Sequence, residues 1–122
     1  MKVIKNMDKR QKILIVDDSN LNRDILKEIL GETYNYLEAE NGNQAIQMIG
    51  ENIEIDLMLL DLNMPQMNGF EVLKIMKRSQ CIAEIPVIMV SSEDAVDTMR
   101  KAYELGITDY ITRPFDSVIV KK

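Results

Sequence analysis

The chain has 122 residues, a length that suits one domain built around one core. Hydrophobic residues make up 46% and charged residues 29%, the balance of a globular chain rather than a disordered one. A net charge of −5 argues against a nucleic-acid-binding surface, and the absence of histidine removes His-based acid–base catalysis, His metal ligation and an internal phosphohistidine. The longest apolar runs are short blocks such as Ile13–Val16, Leu57–Leu60 and Val87–Val90, far below the roughly 20 residues a membrane helix needs. Residues 1–11 are charged and lack a hydrophobic stretch, so they read as a flexible leader rather than a secretory signal, ahead of a domain over 12–122. The single cysteine, Cys81, allows no internal disulfide, which fits a reducing cytoplasm.

Along the chain, short β-type apolar blocks alternate with helical patterns. Lys12–Val16 predicts a first strand, followed by a helix with Leu21, Ile25, Leu26, Ile29 and Leu30 on one face. Asn35–Ala39 is a weaker strand, and Gln44–Ile49 a short helix opening near Gly42. Leu57–Leu60 predicts the third strand, and Phe70, Leu73 and Met76 line the next helix. Val87–Val90 follows Pro86 as a fourth strand, and Val96, Met99 and Ala102, with Tyr103, mark a helix that Gly106 is placed to cap. Tyr110–Thr112 makes a short last strand. Beyond it, Pro114-Phe115-Asp116 reads as a turn into a final helix, with Asp116 as N-cap and Val118 and Ile119 starting an apolar face; the helix is expected to be truncated and the parent protein to continue. Met58, Met76, Met89 and Met99 fall on apolar positions and are read as core.

This βαβα alternation implies a doubly wound α/β fold, a parallel sheet with helices on both faces. In such a sheet ligands sit beyond the carboxyl ends of the strands, so the residues just after each apolar block carry the chemistry. The first strand ends in Asp17-Asp18 and the third in Asp61, and these two strands lie side by side in a doubly wound sheet. Carboxylates gathered in one pocket repel and tend to neutralise, and a hard divalent cation such as Mg²⁺ resolves the conflict with oxygen ligands. One nearby basic residue would balance the remaining charge. N-capping of the first helix explains one Asp at most, and Ser19 is also available for that task.

The segments Ile13–Asp18, Asp61–Gly69, Val90–Ser92 and Asp109–Phe115 resemble the response-regulator receiver family, in its order and at its spacing. The resemblance implies a five-stranded parallel sheet of flavodoxin-like order 2-1-3-4-5. It implies that Asp61 is the phosphoacceptor, that Asp18, Asp17, Asp61 and the Asn63 backbone hold Mg²⁺, and that Ser91 hydrogen-bonds the phosphoryl group. Ser91 has a competing account as the first residue of a capping box with Asp94. Tyr110 matches the family's switch aromatic, and Glu93 and Asn63 match positions that tune phosphoryl lifetime. Pro65 and Gly69 are assigned shape rather than chemistry. Arg113 departs from the family's usual lysine: it keeps the charge on a wider, planar group, and is expected to alter phosphorylation rate or weaken switching. The implied partners are a sensor histidine kinase or phosphotransfer protein and a downstream output, with homodimer pairing through the fourth helix, last strand and final helix.

Three readings compete. The first is a non-enzymatic signalling switch biased by phosphorylation. The second is a Mg²⁺-dependent aspartyl phosphohydrolase, disfavoured because Asn63 stands where such enzymes place a second acid. The third is a degenerate receiver that binds partners without phosphorylation. A flavodoxin-like cofactor binder is disfavoured, because Asp17-Asp18 would meet an anionic phosphate.

Overall fold

Lys12–Val16 forms strand β1 and Asn20–Leu30 helix α1, followed by β2 (Asn35–Ala39), α2 (Gly42–Gly50), β3 (Leu57–Asp61), α3 (Gly69–Arg78), β4 (Val87–Ser91), α4 (Val96–Glu104) and β5 (Asp109–Thr112). This is the arrangement in a computed structural model that describes residues 10–51, 53–80 and 84–114. The strands make one sheet of order β2-β1-β3-β4-β5 with every neighbouring pair parallel, the doubly wound topology expected from the alternation. Of the leader expected over 1–11, only Arg10 and Gln11 are described, and the Gln11 carbonyl accepts from Asn35 N–H at 2.9 Å. The readings of Cys81 and of a final helix with Phe115 and Asp116 lie outside the described residues.

Strand side chains alternate between two cores. Leu14, Val16, Met58, Leu60, Val87 and Met89 join Val72, Leu73, Met76 and Ala102 on one face, whereas Ile13, Ile15, Leu59 and Val90 pack with Leu26 of α1 on the other. Because both faces are covered, the inner strands β1, β3 and β4 carry unbroken apolar runs, and each such fully buried side chain contributes about 2 kcal/mol relative to exposure. Met58, Met76 and Met89 sit in this core as expected.

Two helices depart from the apolar faces read in the sequence. On α1, Leu21 and Ile25 are 68% and 40% exposed, and the buried positions are Leu26 and, unexpectedly, Arg23. The guanidinium takes the inward place because polar partners wait for it there, the Glu38 carboxylate and the Asp17 carbonyl. On α4, Val96 is 69% exposed and Ala102 is the buried residue. That helix has Ala95 at its N-cap with no side-chain bond, so the Ser91–Asp94 capping box does not form; Ser91 is still in β4. A capping box does form at α3, where Asn68 accepts from Glu71 N–H and the Glu71 side chain accepts from Asn68 N–H. At the end of α4, Gly106 (φ 105°) turns the chain into the left-handed region, and Gly106 N–H and Ile107 N–H close back on the Tyr103 and Ala102 carbonyls, a Schellman ending.

Gly69 serves close approach. A Cβ there would lie 2.7 Å from the Asp61 carbonyl oxygen and 2.9 Å from Leu62 Cα, both backbone atoms that cannot swing aside. Gly69→Ala is therefore expected to push α3 away from the end of β3, at a cost of about 1–3 kcal/mol. Thermal unfolding followed by circular dichroism should show a midpoint lower by on the order of 5 °C; an unchanged midpoint would mean the helix start absorbs the methyl freely.

A candidate phosphoacceptor and metal site

The parallel register sets the strand ends level with one another. Val16 pairs with Leu60, so Asp17 leaves β1 beside Asp61 at the end of β3, and Ser91 pairs with Thr112, so Arg113 leaves β5 beside them. Asp17 is tied at several points: its N–H donates to the Ala39 carbonyl at 3.1 Å, and its Oδ1 accepts from Ser19 N–H at 2.9 Å. The cap of α1 falls to Ser19, whose Oγ accepts from Asn22 N–H at 3.2 Å, so neither Asp17 nor Asp18 is used as one.

Asp17, Asp18 and Asp61 each place a carboxylate oxygen within 4.8 Å of the others, with Asp17 and Asp61 buried and Asp18 exposed. The Arg113 guanidinium reaches into this group, its Nη2 donating to Asp17 Oδ2 at 2.5 Å and its Nη1 to Asp61 Oδ1 at 3.2 Å. Burial first, and the neighbouring Asp17 charge second, push the Asp61 carboxyl up to about 6, although Arg113 and the Asn63 N–H pull the other way. Such a shift marks a site where charge is held at a cost. Arg113 balances one of the three carboxylates, and a divalent cation would balance the other two. The donors are hard oxygens, and Asp18 among them is exposed. This donor set fits Mg²⁺.

Around Asp61, the Asn63 N–H lies 3.4 Å from Oδ1, and the Asn63 side-chain amide donates to Ser91 Oγ at 3.5 Å. Ser91 is fully buried, and its Oγ also accepts from Glu93 N–H at 3.0 Å. The Tyr110 ring is buried, and its hydroxyl donates to the Glu93 carbonyl at 2.8 Å. Ser91 and Tyr110 thus hold the two sides of one residue. Every site residue singled out in the sequence, namely Asp17, Asp18, Asp61, Asn63, Ser91, Tyr110 and Arg113, is found at this end of the sheet. The sequence reading passes over Arg23, whose buried guanidinium touches the Asp17 carbonyl; a charged residue at a helical position gives no local sign that it faces inward.

The sequence profile of the response regulator receiver domain matches residues 13–121. The chain belongs to the response regulator receiver family. It is 34% identical over 113 residues to chemotaxis protein CheY1 of Helicobacter pylori, a match covering 91% of each chain. It is similar at 31% identity to the two-component response regulator ORR5 of rice, over 84% of this chain and 77% of that one. Among solved structures, the Vibrio cholerae chemotaxis protein CheY4 superposes with a TM-score of 0.82 at 26% identity, covering 91% and 92% of the two chains. The receiver domain of a signal transduction histidine kinase from Syntrophus aciditrophicus superposes with a TM-score of 0.78 at 32% identity, covering 90% and 83%. Receiver domains generally bind Mg²⁺ at an acidic pocket, and this one gathers Asp17, Asp18 and Asp61 at the corresponding end of its sheet. Among the described residues of this receiver domain, no helix is long and apolar enough to cross a membrane.

Proposed function

We propose that this receiver domain accepts a phosphoryl group on Asp61 from the phosphohistidine of a histidine kinase or phosphotransfer protein, and passes the change to an output as a cytoplasmic switch. The observation that carries the reading is Asp61 itself: a buried carboxylate at a strand end, with two further carboxylates beside it and a guanidinium that bridges it to Asp17. An Asp61 oxygen forms the new O–P bond as the P–N bond to the donor imidazole breaks, its electron pair leaving with the ring. Arg113 faces the negative charge that gathers on the phosphoryl oxygens, and Ser91 offers its hydroxyl to one of them. Asp18 and Asp61, with Asp17 and the Asn63 backbone, would hold a Mg²⁺ ion, which when bound offsets charge on the phosphoryl oxygens.

The switch follows from the double tether on Glu93. If Ser91 Oγ turns toward a phosphoryl oxygen, it gives up the Glu93 N–H, and the segment that anchors the Tyr110 hydroxyl is freed. A rearranged Glu93 and Tyr110 would alter the surface of α4 and β5, where Val96 and Tyr103 are exposed. That surface is our candidate for output binding or self-pairing.

Incubation with Mg²⁺ and acetyl phosphate, followed by intact mass analysis, is expected to give a labile phosphoryl adduct on the native sequence and none on Asp61→Asn. The absence of any adduct on the native sequence would favour a receiver that works by partner binding alone. Steady turnover of a phosphate ester would instead support a hydrolase.

A further inference from the structure

Arg23 is buried in the first turns of α1, a costly place for a cation. The helix N-terminus carries partial positive charge, and taking a guanidinium out of water is unfavourable unless its donors are met. They are met in a specific way. Nε donates to Glu38 Oε1 on β2 at 2.9 Å, Nη2 to Asn20 Oδ1 at 2.9 Å, and Nη1 to the main-chain carbonyl of Asp17 at 2.6 Å. Glu38 is in turn held by Lys27 at 2.8 Å, so the pair is anchored from two sides.

The Asp17 carbonyl belongs to the peptide plane that leads into Asp18. Its direction decides where the Asp18 side chain leaves the chain. Asp17 has its N–H on Ala39, one carboxylate oxygen on Ser19 N–H and the other on Arg113. Asp18, which is exposed, is the least constrained of the three acids and gains most from a fixed peptide behind it. A helix-to-strand staple alone would need only the Arg23–Glu38 contact. The short bond to the Asp17 carbonyl is surplus to that task.

We infer that Arg23 is a positioning residue: by clamping the Asp17 carbonyl against Glu38, it presets the Asp18 carboxylate for a divalent cation. The inference rests on the reading of the acidic group as a Mg²⁺ site. Groups that orient metal ligands from behind typically carry about 10- to 100-fold of metal affinity, and an effect near the lower end is expected here because Asp18 is exposed.

The test is a Mg²⁺ titration by calorimetry on metal-free protein, with no phosphodonor present. Arg23→Gln should weaken Mg²⁺ binding about tenfold. In an Asp18→Asn background the same change should alter the dissociation constant by less than about twofold, because the residue through which Arg23 acts is already gone. Equal weakening in both backgrounds would reveal a general loosening and overturn the inference, as would unchanged binding in Arg23→Gln. Should Arg23→Gln not fold, Arg23→Lys carries the test: it keeps the charge and gives up the planar fork, so a smaller loss, about three- to tenfold, is expected, and parent-like binding overturns the inference. If the native sequence itself binds no Mg²⁺, it is the metal-site reading that fails, and the two failures are told apart in one experiment.

Discussion

Thermal melts at pH 8 without divalent ions are expected to place Asp61→Asn about 3 kcal/mol above the native sequence, or on the order of 10 °C in midpoint. The cause is the cost of holding Asp61 ionised between an apolar strand end and Asp17, which pushes its carboxyl up to about 6 from 3.8. Because the native value is raised, the sign is opposite to that of an ordinary salt-bridged acid. Below pH 3.8 the group is protonated in both folded and unfolded chains, and it takes nothing from stability. As pH rises toward 6 the unfolded chain releases its proton while the folded one retains it, so the native sequence loses stability through this window, and the loss is complete above it. Asparagine imitates the neutral acid and escapes the loss. The gap between the two proteins should therefore close near pH 4 and shrink when Mg²⁺ is added, since the ion stabilises only a site that can bind it. Equal midpoints at pH 8 would show that Asp61 is not electrostatically strained.

Arg113→Ala should have an effect of similar size and opposite sign. The side chains of Asp17 and Asp61 are 1% and 4% exposed, and Arg113 is the cation seen in contact with both. Removing one partner of such a buried group costs about 3 kcal/mol or slightly more, because the remaining charges are left without compensation. Asp61 can relieve part of the cost by taking up a proton, so the loss should be greatest above pH 6 and smaller below it. Added Mg²⁺ replaces the missing positive charge, and its stabilising shift should be larger in the variant than in the native sequence. The same melts with and without Mg²⁺ check this, and a smaller Mg²⁺ shift in the variant would refute it. Arg113→Lys asks a finer question. A compact ammonium lacks the fork that spans Asp17 and Asp61, so rates of phosphorylation and dephosphorylation should both change.

Much of the frame was legible because the chemistry and the topology coincide. Buried parallel strands must be apolar on both faces, so Lys12–Val16 is read from the sequence with the bounds the structure has, and its end leads directly to Asp17-Asp18; the weaker edge strand Asn35–Ala39 has its expected bounds as well. Helix faces were harder. Leu21, Ile25 and Val96 fit a helical stripe, yet they are exposed, because on a short helix two or three apolar positions cannot fix which side meets the sheet. Arg23 was hidden for a different reason: its partners are Glu38 on the neighbouring strand and a main-chain carbonyl, and neither is visible from α1 alone. The Ser91–Asp94 spacing matched a capping box and misled, since β4 runs on through Ser91 and α4 begins five residues later. The true capping box, Asn68 with Glu71, carried the same signal in plain view.

The ion pair between Arg113 and Asp17 joins residues 96 positions apart, and Asp61 and Ser91 enter the same pocket from two further strands. No contiguous stretch of the polypeptide owns this chemistry. Contacts of such long sequence separation are completed late, after loop closure has been achieved. A chain still emerging during synthesis, or one that has lost β5, would present Asp61 without its Arg113 counterion. If Asp61 is the phosphoacceptor we propose, its competence is tied to completion of the sheet.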